Sequence, residues 1–491
     1  MAVFVNRVRE LRALERWWSE QTQSAVVWGR RRVGKTALIQ QFMTDKPSIF
    51  HTGAGRSALE ELAQLAERVH QMAQGTSIMG VATMGIEAIG GVGPALRDLV
   101  DRPYVSWDDA LDDIAGRAQQ RPLLLVLDEF PELVASSPEL PKVLRAFLDR
   151  SAGRTRLRIL LCGSAVRYMQ AIQEEREALY GRFDLSLGVH PFAPHEAALM
   201  LERLSPQNRA LVYGIVGGVP MYLAWWDQGE SVKANISRLV CQPGARLLTE
   251  GDFVLRADLD RGEFAHQVLH AIANGVSEYG RIKDRIKAEP ARTLDRLVDL
   301  RLIERLAPVG EPERSRLRHY RLADPFLAFH LGVASRYHTE IERGLGAAIV
   351  PVLVDSLNDH MGGVWEEVFR QHLRRLANDG RLGVKGNVVA VGSWWDRSSN
   401  NQLDALVLAE RSATPVLAGE AKWTKFPDAR RMVDDLRRKV ADGLHLDPDA
   451  LGYAVCARDG FKNLPEGTLA FTATDVFGLP GEASMHATGS A

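Results

Sequence analysis

The stretch Val26-Val27-Trp28-Gly29-Arg30-Arg31-Arg32-Val33-Gly34-Lys35-Thr36 constrains this chain more than any other. An apolar run from Ala25 to Trp28 leads into Gly-x-x-x-x-Gly-Lys-Thr, and Ala37, Leu38, Ile39 and Phe42 follow at helical spacing. A strand, a glycine-bounded loop and a helix in that order make a phosphate cradle, the P-loop. Glycine lets backbone N–H groups turn inward around phosphate oxygens, and the helix presents its positive N-terminal end to them. Gly29, Arg30, Arg31, Arg32, Val33 and Gly34 are therefore expected around the phosphates of ATP. Lys35 is expected to reach the β- and γ-phosphates, and Thr36 to bind Mg2+.

A second stretch completes the site. Leu123-Leu124-Leu125-Val126-Leu127 reads as a strand buried on both faces, as in a parallel sheet, and it ends in Asp128-Glu129. Adjacent carboxylates at the end of an interior strand need a use. Asp128 fits the acid that orients the metal, and Glu129 the group that positions and polarises the attacking water.

Composition bounds the rest. A chain of 491 residues suggests about three domains. With 46% apolar and 25% charged residues it reads as folded, soluble material. A net charge of −1 does not advertise nucleic acid as a partner, although a local basic face fits within a neutral total. Cys162, Cys241 and Cys456 match no metal spacing and read as reduced thiols of a cytoplasmic protein. Asn6, Arg7, Arg9 and Glu10 interrupt any early signal peptide. The stretch Ile78 to Val92 is short, glycine-rich and carries Glu87, so no membrane partner is expected.

Along the chain, strands expected at Ser48–His51, Leu123–Leu127 and Leu157–Cys162 alternate with helices, including Val105–Gln119 with Ser106 as N-cap and Asp109 as its partner. That alternation indicates an α/β fold with a doubly wound parallel sheet and nucleotide at the carboxyl ends of its strands. The chain resembles the archaeal-type P-loop ATPases of the STAND/AAA+ group. The resemblance rests on Phe4-x-Asn6-Arg7-x-x-Glu10-Leu11, the P-loop stretch, Leu127-Asp128-Glu129-Phe130-Pro131, Cys162-Gly163-Ser164 and Leu179-Tyr180-Gly181-Arg182. It implies that Asn6 and Arg7 belong to the nucleotide site, that Ser164 senses the γ-phosphate, and that Arg182 stabilises charge developing during phosphoryl transfer. Arg167 is a second candidate for that arginine. A surface arginine after a turn glycine is the competing reading of Arg182. Pro220 in Gly217-Gly218-Val219-Pro220 matches the lid over adenine, and the same residues also join two helices.

From Glu263 to Phe329, three helices (Phe264–Ala273, Gly280–Lys287, Ala291–Asp299) and two strands suggest a winged helix. The third helix places Arg292, Arg296 and Arg301 outward and Leu294, Leu297 and Val298 inward, which suits DNA or a solvated face. A new helix opens at Val364-Trp365-Glu366-Glu367, and strands follow at Val388–Trp394, Leu403–Leu408 and Val416–Lys422. Asp404 begins one strand, and Glu420-Ala421-Lys422 closes the next. With Trp394-Trp395, Asn401-Gln402-Leu403-Asp404 and Gly419-Glu420-Ala421-Lys422-Trp423, this region resembles the C-terminal DUF234 domain of the same ATPases, a PD-(D/E)xK nuclease-like core. The resemblance implies a divalent cation at Asp404 and Glu420, with Glu366 nearby and Lys422 orienting the nucleophile. Gln402 replaces the usual acidic neighbour.

The expected division is 1–195 for the ATPase core, 196–240 for a helical lid, 241–335 for the winged helix, 336–480 for an α/β restriction-endonuclease-like domain and 481–491 for a disordered tail. Two functions compete. One is an ATPase whose nucleotide state controls a nucleic-acid-processing domain, and the other is a regulatory or scaffold ATPase whose terminal domain is inactive. Oligomeric state is left open.

Overall fold

The computed structural model describes residues 4–73, 103–258, 263–312, 315, 317–397 and 400–482. The expectations for Ile78–Val92 and for most of the C-terminal tail fall outside them. The chain forms two compact units, Met1–His190 and Pro191–Ala491.

In the first unit the helices are α1 (Val8–Ser19), α2 (Lys35–Met43), α3 (Ala58–Ala73), α4 (Trp107–Arg117), α5 (Phe130–Ser136), α6 (Leu140–Ser151) and α7 (Val166–Ala171). The strands are β1 (Ser24–Trp28), β2 (Ser48–Thr52), β3 (Leu123–Asp128), β4 (Leu157–Gly163) and β5 (Leu185–Gly188). They form one parallel sheet in the order β2-β3-β4-β1-β5. Side chains alternate across the sheet. Val26, Leu125, Leu127, Ile159 and Leu161 face one core, while Ala25, Val27, Leu124, Val126 and Leu160 face the other. Covering both faces explains the apolar runs Leu123–Leu127 of β3 and Ile159–Cys162 of β4, in strands that are fully buried. The order also decides the site. Because β4 lies between β1 and β3, its end sits between the P-loop and the Asp128-Glu129 pair. The Ser106 hydroxyl accepts from Asp109 N–H at 3.2 Å, and the Asp109 carboxylate accepts from Val105 N–H rather than from the cap residue itself.

The second unit begins with α8 (Pro194–Ala198), α9 (Pro206–Val216), α10 (Pro220–Trp225), α11 (Val232–Leu239) and α12 (Arg246–Asp258). Next come α13 (Glu263–Ala273), α14 (Tyr279–Ile286), α15 (Ala291–Asp299), and the antiparallel hairpin β6 (Ile303–Leu306) and β7 (His319–Leu322). Helices α16 (Pro325–Phe329), α17 (Gly346–Asp355) and α18 (Leu357–Asn378) lead to β8 (Val388–Trp395), β9 (Gln402–Ala409) and β10 (Thr414–Lys422). Then α19 (Ala429–Lys439), β11 (Gly452–Ala457), β12 (Leu469–Phe471) and α20 (Ala473–Phe477) complete it. Strands β8 to β12 form a second sheet in sequence order, antiparallel from β8 to β10 and parallel from β10 to β12.

Two features depart from expectation. Val364 does not open a helix: α18 starts at Leu357 and runs through Gly362-Gly363, because Met361, Trp365, Phe369 and Leu373 bury one continuous face. The lid helices also share a single apolar core with α18 and the C-terminal sheet. Tertiary burial outweighs the local cost of glycine, about 1 kcal/mol each against alanine.

Candidate functional sites

Gly34 caps α2 at a φ of 91°, a backbone conformation that disfavours side chains. At Gly29 a Cβ would lie 2.2 Å from the Val189 carbonyl oxygen, so only glycine lets the loop leave β1 here. Arg7 steadies the cradle: its guanidinium donates to Val33 O and His190 O, both at 2.7 Å, and to Glu10 at 2.8 Å. Those bonds hold the loop's backbone, and Asn6 precedes Arg7 in a left-handed turn at φ 58°. The buried Lys35 ammonium donates to the carbonyls of Gly29 at 2.8 Å and Arg30 at 3.1 Å. Burial lowers its pKa, against the pull of Cys162, Glu129 and Asp128.

The acidic half of the site lies alongside. Thr36 Oγ1 donates to Asp128 Oδ2 at 3.4 Å. Burial pushes the Asp128 carboxyl up, while the Cys162 thiol hydrogen-bonds to it. A carboxylate this buried beside a hydroxyl at a helix N-terminus suits a hard cation with oxygen ligands. Glu129 caps α5 at φ 48°, and that left-handed turn sets its side chain beside the end of β4. There Ser164 Oγ donates to Glu129 at 2.9 Å. The structure therefore brings Lys35, Thr36, Asp128, Glu129 and Ser164 together. Cys162, to which the sequence reading gave no role in the site, also belongs to this set.

Arg182 stands apart. It pairs with Asp149 at 2.7 Å, and its carbonyl accepts from the hydroxyl of Ser24. Ser24 is the first residue of β1, so Arg182 lies at the end of the sheet away from the loop, about 13 Å of strand distant. Arg167 is exposed on α7, three residues beyond Ser164, at the phosphate end.

In the second unit, β9 begins and β10 ends at the same edge of the sheet. Pairing of Ala405 with Gly419 places Asp404 and Glu420 opposite each other one step further on. Asp404 Oδ2 accepts from Ala421 N–H at 2.9 Å. Both carboxylates are buried, and Glu366 of α18 interacts with both. Burial, then Glu366 and Glu420, pushes the Asp404 carboxyl up to about 7. Burial likewise raises Glu366. Glu367 is the opposite case: burial would raise it, but Arg321, Arg370 and Arg374 hold it well below the ordinary range. Lys422 reaches Glu420 at 3.6 Å and is half-exposed, whereas Lys439 at the end of α19 reaches it at 2.8 Å and is largely buried. Lys439 was not legible as a site residue. Among the described residues no set of three His, Cys, Asp or Glu side chains is arranged to hold a metal.

Residues 4–225 match the family described as an ATPase domain predominantly from Archaea, and residues 331–433 match DUF234, archaeal and bacterial proteins of unknown function. The chain carries an archaeal-type ATPase domain followed by a DUF234 domain. An uncharacterized protein of Methanocaldococcus jannaschii is 23% identical over 449 residues, covering 89% of this chain and 92% of that one. An uncharacterized ATP-binding protein of the same organism is 49% identical over 47 residues, 9% of this chain and 80% of that one. Among solved structures, a Walker-type ATPase of Pyrococcus abyssi is 19% identical, with a TM-score of 0.46, over 67% of this chain and 96% of that chain. The ORC2 protein of Aeropyrum pernix, in ADPNP–ADP complexes, is 16% identical, with a TM-score of 0.42, over 71% of this chain and 98% of that chain.

Other expected site residues of this ATPase fall as follows. Pro220 opens α10, and a Cβ on Gly218 would lie 1.9 Å from the Phe192 carbonyl oxygen. Of the arginines expected outward on the third helix, Arg292 is exposed and Arg296 half-buried on α15, while Arg301, half-buried, lies beyond the end of that helix. The β6–β7 hairpin packs on the C-terminal sheet: Val309 N–H donates to Ser393 O at 2.9 Å, and the His319 and Trp395 rings stack 4.3 Å apart. No helix of the described residues is long and apolar enough to cross a membrane.

Proposed function

We propose that the first unit hydrolyses ATP with Mg2+ and that its nucleotide state controls nucleic-acid processing by the DUF234 domain. Bound Mg2+ would supply a Lewis acid that offsets charge on the β- and γ-phosphates. Thr36 and Asp128 would hold it, and Lys35 would bind the same phosphates. Glu129 orients the attacking water and takes up its proton, and Ser164 fixes the Glu129 carboxylate. Arg182, turned from its own loop, would serve a neighbouring subunit, and Arg167 the phosphates of its own.

For the terminal domain, the observation that carries the reading is that the buried Asp404 and Glu420 lie opposite each other at the ends of β9 and β10, with the charge of Glu366 on α18 acting on both. Carboxylates gathered in a buried place repel, and a divalent cation would offset them. Asp404 and Glu420 would hold that cation, and Lys422 would orient the nucleophile. Calorimetric titration of the full chain with Mn2+ tests this. Binding that disappears in Asp404→Ala is expected, and a flat titration of the wild-type chain contradicts it.

One observation favours the second reading, a regulatory or scaffold ATPase with an inactive terminal domain. Lys439 and Lys422 already offset Glu420 at 2.8 and 3.6 Å. Under that reading Mn2+ finds no site, and nucleotide state is relayed to a partner instead.

A further inference from the structure

At the carboxyl ends of the parallel strands β10 and β11, two loops are knitted into one ledge. Arg458 N–H donates to Thr424 O at 3.0 Å, Gly460 N–H to Lys425 O at 3.0 Å and Lys462 N–H to Pro427 O at 3.0 Å. Ala429 N–H returns a bond to Lys462 O at 2.9 Å. These bonds fix Lys425 and Lys462 on the same ledge, next to the start of α19 and its exposed Arg430. The side chains of Lys425, Arg430 and Lys462 are exposed, and none has an ion pair among the described residues. Two of the nearby acids are already engaged. Asp428 accepts from Asn463 at 2.8 Å and from Arg431 N–H at 3.1 Å, and Asp459 pairs with Arg458 at 3.3 Å. Phe426 stands among these cations, 53% exposed. Lys422 and Glu420 are the last residues of β10 on their way to the ledge.

We propose that this ledge binds single-stranded nucleic acid and delivers its backbone to the Glu420 edge of the sheet. The inference rests on the nucleic-acid-processing reading of the DUF234 domain and adds where the strand lies. Exposed cations on a rigid ledge suit a polyanion, since each phosphate they neutralise releases counterions. The carboxyl ends of parallel strands are also where open α/β sheets bind ligands. An exposed phenylalanine between the cations gives a base a surface to stack on, which is how single strands are held without sequence preference. Bases of a duplex are stacked inside and would leave that ring unused.

The test is binding of a fluorescent 20-nucleotide oligo(dT) to the full chain in EDTA, so that cleavage plays no part, over a series of salt concentrations. Lys425→Gln/Lys462→Gln is expected to lower the slope of log K against log salt by about 1.4, at ~0.7 for each phosphate no longer neutralised. Phe426→Ala should weaken binding by about fivefold to a hundredfold while keeping the slope. Circular dichroism melting confirms that the variants are folded. An unchanged slope in the double variant overturns the proposal, and so does a duplex bound equally well with Phe426→Ala without effect. The underlying reading is judged separately: a wild-type chain that binds with the predicted slope but cleaves nothing in Mg2+ or Mn2+ keeps the ledge and removes the nuclease.

Discussion

The hydroxyl of Ser164 donates to the carboxylate of Glu129 at 2.9 Å and so ties the end of β4 to the end of β3. With Asp128 3.4 Å from Thr36 on the helix after β1, three strand ends contribute to one site. Glu129→Gln should leave ATP bound and slow hydrolysis by about a hundredfold to ten-thousandfold, because the amide keeps the shape and loses the basicity. Ser164→Ala should cost less, since the carboxylate remains. Single-turnover rates with ATP affinity measured in parallel check both, and turnover of Glu129→Gln near wild type would move the general base elsewhere.

Lys35→Ala should abolish or strongly weaken nucleotide binding. Lys35 is the buried cation of the loop, and no other loop residue replaces its reach. Calorimetry with ATP is the measurement, and unchanged affinity would remove the P-loop assignment.

Glu367 faces Arg321 at 2.8 Å, Arg370 at 2.8 Å and Arg374 at 2.9 Å. Glu367→Ala removes the main anion from the buried Arg370 and one of two from Arg321, while Arg374 is half-exposed, so a loss of about 3 kcal/mol is expected. Urea unfolding reads it. Removing Arg321 and Glu367 together should cost less than the sum of the single changes.

His372 is buried against the Phe471 ring, and burial, then Arg375 and His195, holds its pKa down to about 3. An unfolded histidine titrates near ~6.5. The folded value lies below the unfolded one, so the unfolded state takes up the proton first as pH falls. His372 therefore contributes its full share above pH ~6.5 and loses it on the way down, by up to about 1.4 kcal/mol for each pH unit. His372→Phe should flatten unfolding free energy against pH between about 6.5 and 4. An equal slope in both proteins would contradict the assignment.

The nucleotide site was legible because its chemistry restricts residue types at fixed spacing: glycines where a Cβ collides, and carboxylates where a buried strand ends. Asp404 and Glu420 were legible from neighbouring strands, and Glu366 from its place before them. Lys439 was not, because only the packing of α19 against β10 brings it to Glu420. The position of Arg182 depends on the direction of β5, a strand of four residues whose sequence carries little signal. Of the missed strands, β12 has only three residues, all partly buried, so its pattern is weak. The early start of α18 was hidden by Gly362-Gly363, where burial on one face overrides local preference.

The most direct test of the account is cleavage of labelled single-stranded DNA by the full chain with Mn2+, in ATP, in ADP and without nucleotide. The account predicts cleavage whose rate changes with nucleotide, stops with chelator, and is lost in Asp404→Ala while ATP hydrolysis persists. No cleavage in any nucleotide state, or equal cleavage by Asp404→Ala, would contradict it.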